Sequence, residues 1–117
     1  ARRAQEIAFK AARPGTPCAE VDRAARSFLE SRGYGPGYRL PGLPHRTGHG
    51  IGLEGHEPPY FVGSDPTPLD AGMCLSDEPG IYIPGRFGIR LEDCLYMTAE
   101  GPRWFTEPAR EITAPFG

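Results

Sequence analysis

The chain has 117 residues, 38% of them hydrophobic and 24% charged, enough for one domain with a modest core. Thirteen basic and 15 acidic residues give a net charge of −2 and a pI near 5.9, unlike the basic stripe of a nucleic-acid binder. No apolar run approaches the ~20 residues of a membrane span.

Glycine and proline number 16 and 14, yet they form no repeat and no Gly/Ser tract, so they read as punctuation of short apolar segments in a loop-rich β region. Lys10 is the only lysine, and the arginines are scattered. Arg2 and Arg3 stand near the start, but no apolar signal-peptide core follows them. Cys18, Cys74 and Cys94 are odd in number and form no CxxC pair. They read as free thiols in a reducing compartment, and the expected location is the cytoplasm.

Residues 1–12 place Ala4, Ile7, Ala8 and Ala11 on one helical stripe. No capping residue precedes them. Arg13-Pro14-Gly15 ends the helix, because proline disfavours α geometry in the residue before it. A second helix is expected between Thr16 as N-cap, with Pro17 at the first helical position, and Gly33 as the left-handed stop. Its stripe is Val21, Ala24, Ala25, Phe28 and Leu29, which leaves Glu20, Asp22, Arg23, Arg26 and Glu30 as a solvated face.

Residues 33–44 are too rich in glycine and proline for helix and read as an ordered loop. Strands are expected at about 47–54, 72–77, 81–83, 88–98 and 103–106, with a turn at Gly63-Ser64-Asp65-Pro66. In the fourth of these, Ile89, Leu91, Leu95 and Met97 share one face, and Arg90, Glu92, Cys94 and Tyr96 the other. Two helices followed by an antiparallel sheet make an α+β domain.

The three histidines, His45, His49 and His56, fall within twelve residues. Gly50 to Gly55 formally matches GxGxxG, but that fingerprint must open a helix, and His56-Glu57-Pro58-Pro59 follows it here. His45 and His49 have the spacing of a zinc-protease helix, but position 46 is arginine, and Gly48 and Gly50 oppose helix. The segment therefore reads as a strand. Gly48, Gly50 and Gly52 line one face, leaving room for another backbone or a substrate. His49, Ile51 and Leu53 line the other. His49 alone reads first as a hydrogen-bonded core residue, with a metal ligand as the less common alternative. Glu78 ends an apolar strand before Pro79-Gly80. Glu92 lies mid-strand, where it is costly to bury unless paired or metal-bound; an Arg90–Glu92 surface ion pair is the plainer alternative. One imidazole with two carboxylates suits Mn²⁺, Co²⁺ or Zn²⁺.

HRTGHGIGLEGHEPP, followed by GMCLSDEPGIYIPGRFGIRLED, strongly resembles the pita-bread metallopeptidases, nearest the Xaa-Pro aminopeptidases and Xaa-Pro dipeptidases (prolidases). RPGTPCAEVDRAAR is similar to the helical part of the same half-domain. The resemblance implies His49, Glu78 and Glu92 as metal ligands, Glu92 bridging two ions, the expected ions being Mn²⁺ with Co²⁺ or Zn²⁺ as alternatives. It implies Glu78 as general base toward the attacking water. His45 and His56 would line the substrate side, His56 bonding the scissile amide or oxyanion. Arg90 would hold the carboxylates in place, and Tyr82 would face the substrate.

The activity implied is hydrolysis of the bond before proline in a peptide or dipeptide. The family's site also needs two aspartates that precede this segment, and none of Glu6, Glu20, Asp22 and Glu30 stands in a strand that could replace them. The expectation is therefore one partial catalytic domain over 1–117, with a helical hairpin at 1–32 and a loop and ligand-bearing sheet at 33–117. It corresponds to the C-terminal half of the pita-bread fold, as a fragment or a short homologue. Its expected partners are the N-terminal half or a second copy, in a homo-oligomer, without nucleic acid or membrane. The alternative is a non-catalytic interaction module on the same half-fold.

Overall fold

The computed structural model describes residues 1–116 and keeps the expected order of two helices followed by antiparallel strands. Helix α1 (Arg2–Ala11) buries Ala4, Gln5 and Ala8, while Ile7 and Ala11 stay half-buried. The stripe is turned from the expected one because Gln5 is drawn inward. Its amide donates to the Asp77 carbonyl at 3.2 Å and to Asp93 Oδ2 at 2.8 Å, which makes its burial tolerable.

Helix α2 (Cys18–Ser31) buries Val21, Ala25 and Leu29, as the periodicity requires. Its start differs from expectation. Pro17, not Thr16, is the N-cap, and no side chain caps the helix. The orphan N–H groups are satisfied instead by a distant stretch of backbone: Cys18 donates to the Thr67 carbonyl and Ala19 to that of Asp65, each at 2.8 Å. Gly33 does take the left-handed geometry of a helix stop, with φ 89°.

The charged flank of α2 is not a solvated face throughout. Asp22 and Arg26 are 1% and 6% exposed. Arg26 Nε donates to Asp22 Oδ2 at 2.8 Å, and its other N–H groups reach the carbonyls of Gly37, Leu43 and His45. Asp22 accepts in addition from the hydroxyls of Tyr38 and Thr47, at 2.8 and 2.7 Å. The loop at 33–44 folds back over this flank, so charges that an isolated helix would leave in water are buried and fully partnered.

Among the described residues seven strands follow: β1 (Gly48–Gly50), β2 (Glu57–Phe61), β3 (Cys74–Asp77), β4 (Gly80–Ile83), β5 (Phe87–Arg90), β6 (Asp93–Thr98) and β7 (Gly101–Trp104). Five of them form an antiparallel sheet in the order β2-β1-β3-β6-β7, and β4 with β5 forms a separate hairpin. One sheet face meets the helices through Phe61, Leu75, Leu95 and Met97, which pack with Ala8, Val21, Ala25 and Leu29. Phe9 stacks on Trp104 at 4.1 Å. By alternation the opposite face carries His49, Ser76, Cys94 and Tyr96.

Three strand expectations need correction. The expected strand at 47–54 is only three residues long. Beyond it the chain turns, and Leu53, expected beside His49, is fully exposed. The return strand β2 was not expected at all, because Pro58 and Pro59 cannot donate to a ladder. It lies at the sheet edge, where missing donors are tolerated. The expected strand at 88–98 breaks at residues 91–92, so Ile89 and Leu95 belong to different sheets.

Gly48 and Gly50 make room for backbone, not for substrate. A Cβ on Gly48 would collide with the Ser76 carbonyl oxygen of β3, and one on Gly50 with the Glu57 carbonyl oxygen of β2. Neither obstacle is a flexible side chain. Gly48→Ala is therefore expected to destabilise the chain by about 1–3 kcal/mol, read as a lower urea midpoint at unchanged m-value. An unaltered midpoint would show that β1 and β3 do not approach this closely.

Candidate metal centre

The site is assembled outward from α2. Thr47, held by Asp22 through both its N–H and its hydroxyl, leads directly into β1. Its carbonyl accepts the Glu78 N–H at 2.8 Å. The same residue thus ties down the strand that bears His49 and the strand end that bears Glu78.

His49 is 7% exposed. Its Nδ1 lies 2.9 Å from the Gly50 carbonyl. A carbonyl only accepts, so Nδ1 carries the hydrogen and Nε2 presents a lone pair. That lone pair faces Glu78 Oε1 at 2.9 Å. Two acceptors this close repel unless a cation, either a proton or a metal ion, lies between them. His49, Glu78 and Glu92 each offer one ligand atom, and these atoms all lie within 4.8 Å of one another. One imidazole nitrogen with two carboxylates is a donor set that fits a divalent first-row ion.

Glu78 is 12% exposed at its side chain. Glu92 is open to solvent and sits in the break between β5 and β6, not mid-strand as expected. Its burial cost is correspondingly lower. Arg90 Nε lies 3.7 Å from Glu78 Oε2 and 3.7 Å from Glu92 Oε2. The ion pair and the ligand cluster, weighed as alternatives from sequence, are therefore one arrangement.

The exposed His56 lays its ring against that of His49, with centroids 4.1 Å apart. His45 and Tyr82 form a pair of their own. His45 Nε2 is 3.1 Å from the Tyr82 hydroxyl, and the His45 carbonyl is held by Arg26. Tyr82 exchanges backbone hydrogen bonds with Gly42 at 2.9 and 3.2 Å. A cavity of about 680 Å³ lies against Arg90, Glu92 and Asp93.

Two polar residues here escaped the sequence reading. Ser76 is fully buried, and its hydroxyl stands between His49 and Glu78. Period-two alternation puts it on Glu78's face, and that signal could have found it. Asp77 points to the other face, under α1. Neither of its carboxyl oxygens has a hydrogen-bond partner among the described residues. Burial, reinforced by Asp93, pushes its carboxyl well above the usual carboxylate range. Of the three free cysteines, Cys18 is the most withdrawn: burial, with the charge of Asp65, pushes its thiol up to about 12.

Known proteins match this sequence and fold. The profile of metallopeptidase family M24 covers residues 1–99, and the chain belongs to that family. It is 45% identical over 111 residues to the Xaa-Pro dipeptidase of Lactobacillus delbrueckii subsp. lactis, over 95% of this chain and 29% of that protein. The crystal structure of dipeptidase PepE from Mycobacterium ulcerans superposes with a TM-score of 0.84 at 47% identity, over 95% of this chain and 29% of that one. For the Xaa-Pro dipeptidase from Bacillus anthracis the TM-score is 0.86 at 38% identity, over 95% and 30%. The fold is thus the C-terminal half of the pita-bread architecture, as expected, and the chain spans about 29% of the length of the curated relatives it matches. No helix among the described residues is long and apolar enough to cross a membrane.

Proposed function

We propose that this chain supplies His49, Glu78 and Glu92 to the metal centre of an Xaa-Pro peptidase that hydrolyses the bond before proline in a peptide or dipeptide. The convergence of the three ligand atoms within 4.8 Å, with the His49 Nε2 lone pair turned inward, carries this reading. Mn²⁺ is the ion proposed, with Co²⁺ or Zn²⁺ as alternatives; Glu92, the most open carboxylate, would bridge a pair of them. Such an ion supplies Lewis-acid polarisation of a peptide carbonyl and brings the pKa of water toward neutrality.

The chain's own groups do the rest. Glu78 is placed to take the proton of the attacking water, while Arg90 keeps both carboxylates in register. His56, exposed beside His49, is placed to donate to the scissile amide or the developing oxyanion. The His45–Tyr82 pair would line the substrate side. Hydrolysis also requires the two aspartate ligands that the family resemblance implies. We assign these to an N-terminal half or a second copy, within a homo-oligomer, and residues 1–117 to one partial catalytic domain. The free thiols of Cys18, Cys74 and Cys94 favour a reducing, cytoplasmic setting.

A non-catalytic module on the same half-fold is the second reading. Tyr96 and Phe105 favour it, because they pack together at 5.0 Å yet stay exposed on the sheet's helix-free side. Calorimetric titration with Mn²⁺ separates the two. At least one tight site is expected, lost in Glu92→Ala. No binding would set the metal reading aside in favour of the interaction module.

A further inference from the structure

We propose that Ser76 is a positioning residue that sets His49 and Glu78 relative to each other through its hydroxyl. Its role toward a metal rests on the reading of His49, Glu78 and Glu92 as ligands.

The His49 N–H is buried in a short strand whose ladder with β3 has a single register pair, Gly50 with Leu75. In a regular antiparallel ladder such a group donates to a carbonyl of the neighbouring strand. Here it donates to the Ser76 side chain, Oγ, at 3.0 Å. The hydroxyl has one hydrogen of its own, and it passes that hydrogen to Glu78 Oε1 at 3.0 Å. Glu78 Oε1 is the oxygen that faces His49 Nε2 at 2.9 Å.

A chain of two bonds results, from the His49 backbone N–H through the Ser76 hydroxyl to the Glu78 carboxylate, and a cation between Glu78 Oε1 and His49 Nε2 would close it into a ring. Ser76 is fully buried, so its hydroxyl has no competing bond to solvent. Neither bond uses Glu78 Oε2, which faces Arg90 Nε at 3.7 Å.

Removing the hydroxyl breaks both bonds. The His49 N–H loses its acceptor inside the sheet, and Glu78 Oε1 loses the donor that holds its carboxylate plane. Partners that orient ligands in this way are typically worth about 10- to 100-fold in metal affinity.

The test is a Mn²⁺ titration of the 117-residue chain by calorimetry, together with amide hydrogen exchange at His49 in the metal-free chain. Ser76→Ala is expected to weaken Mn²⁺ binding about 10- to 100-fold and to speed exchange of the His49 amide, with circular dichroism unchanged. If that variant does not fold, Ser76→Thr and Ser76→Val decide the matter, because they share a shape and differ in the hydroxyl. Threonine should keep both properties and valine should lose both. Wild-type affinity and wild-type His49 protection in the alanine or valine variant would overturn the proposal. Absence of Mn²⁺ binding by the wild-type chain would instead sink the ligand reading. The exchange rates of the threonine and valine variants would then still decide whether the hydroxyl positions His49.

Discussion

Glu78→Gln, made in a polypeptide that carries the whole catalytic centre, is expected to lower kcat by about 10²- to 10⁴-fold, the range attributable to a lost proton acceptor. Glutamine keeps the size of the side chain and an oxygen to accept the Ser76 hydroxyl, now made at 3.0 Å to Oε1. That oxygen also faces the His49 Nε2 lone pair at 2.9 Å, so a glutamine serves one neighbour at a time: its oxygen there keeps the Ser76 bond, and its NH2 there donates to His49 instead. Folding should therefore be little changed in the metal-free chain. What glutamine cannot do is take a proton from water or contribute a full negative charge to an ion. A thermal melt beside steady-state kinetics on an Xaa-Pro dipeptide would check both halves. Turnover near the wild-type rate would remove Glu78 from the catalytic assignment. Glu78→Ala is the less informative variant, because it also strands the Ser76 hydroxyl and confounds lost chemistry with lost structure.

How much of this site the sequence reveals depends on the range of the forces involved. His49, Glu78 and Glu92 are legible because each interrupts a short apolar segment with a group that needs a partner, and because their motif blocks are distinctive. The core stripe of Val21, Ala25 and Leu29 is legible because helical periodicity is local. Glu92 is placed correctly in chain order but not in its element. Leu91 and Glu92 continue the alternation of a strand, and only the pairing of β5 with β4 and of β6 with β3 requires the chain to break there. The β2 strand is hidden because two prolines read as a breaker, and edge position cannot be known before the sheet exists. The start of α2 is hidden for a similar reason, its donors being capped by carbonyls some fifty residues downstream. Asp22 and Arg26 are the sharpest case. They adjoin Val21 and Ala25 on the rim of the apolar stripe, and nothing local says that residues 37–47 will close over that rim.

This burial sets the second large expectation. Asp22→Ala should cost about 3–5 kcal/mol, the usual consequence of removing one member of a buried ion pair, out of the roughly 5–15 kcal/mol that holds a domain folded. The cost arises in three places at once. The Arg26 guanidinium is left buried with carbonyls but no counter-charge, the Thr47 hydroxyl loses its acceptor while the Thr47 N–H keeps only the Phe61 carbonyl, and the Tyr38 hydroxyl loses its own. Asp22→Asn should cost less, since an amide oxygen still accepts from Thr47. Asp22→Leu combined with Arg26→Met should recover part of the loss, because a well-packed apolar pair of similar volume can replace a buried ion pair. Urea denaturation of these variants beside the wild type forms the test, with Asp22→Leu and Arg26→Met made singly as well so that the cycle gives the coupling energy. A cost for Asp22→Ala within about 1 kcal/mol, the range of a surface pair, would mean that water reaches Arg26. It would also mean that the loop bearing His45 is not pinned by it. The larger cost would place the anchoring of His45 and Thr47, and through Thr47 that of His49 and Glu78, in a charge pair on a helix that supplies none of the ligands.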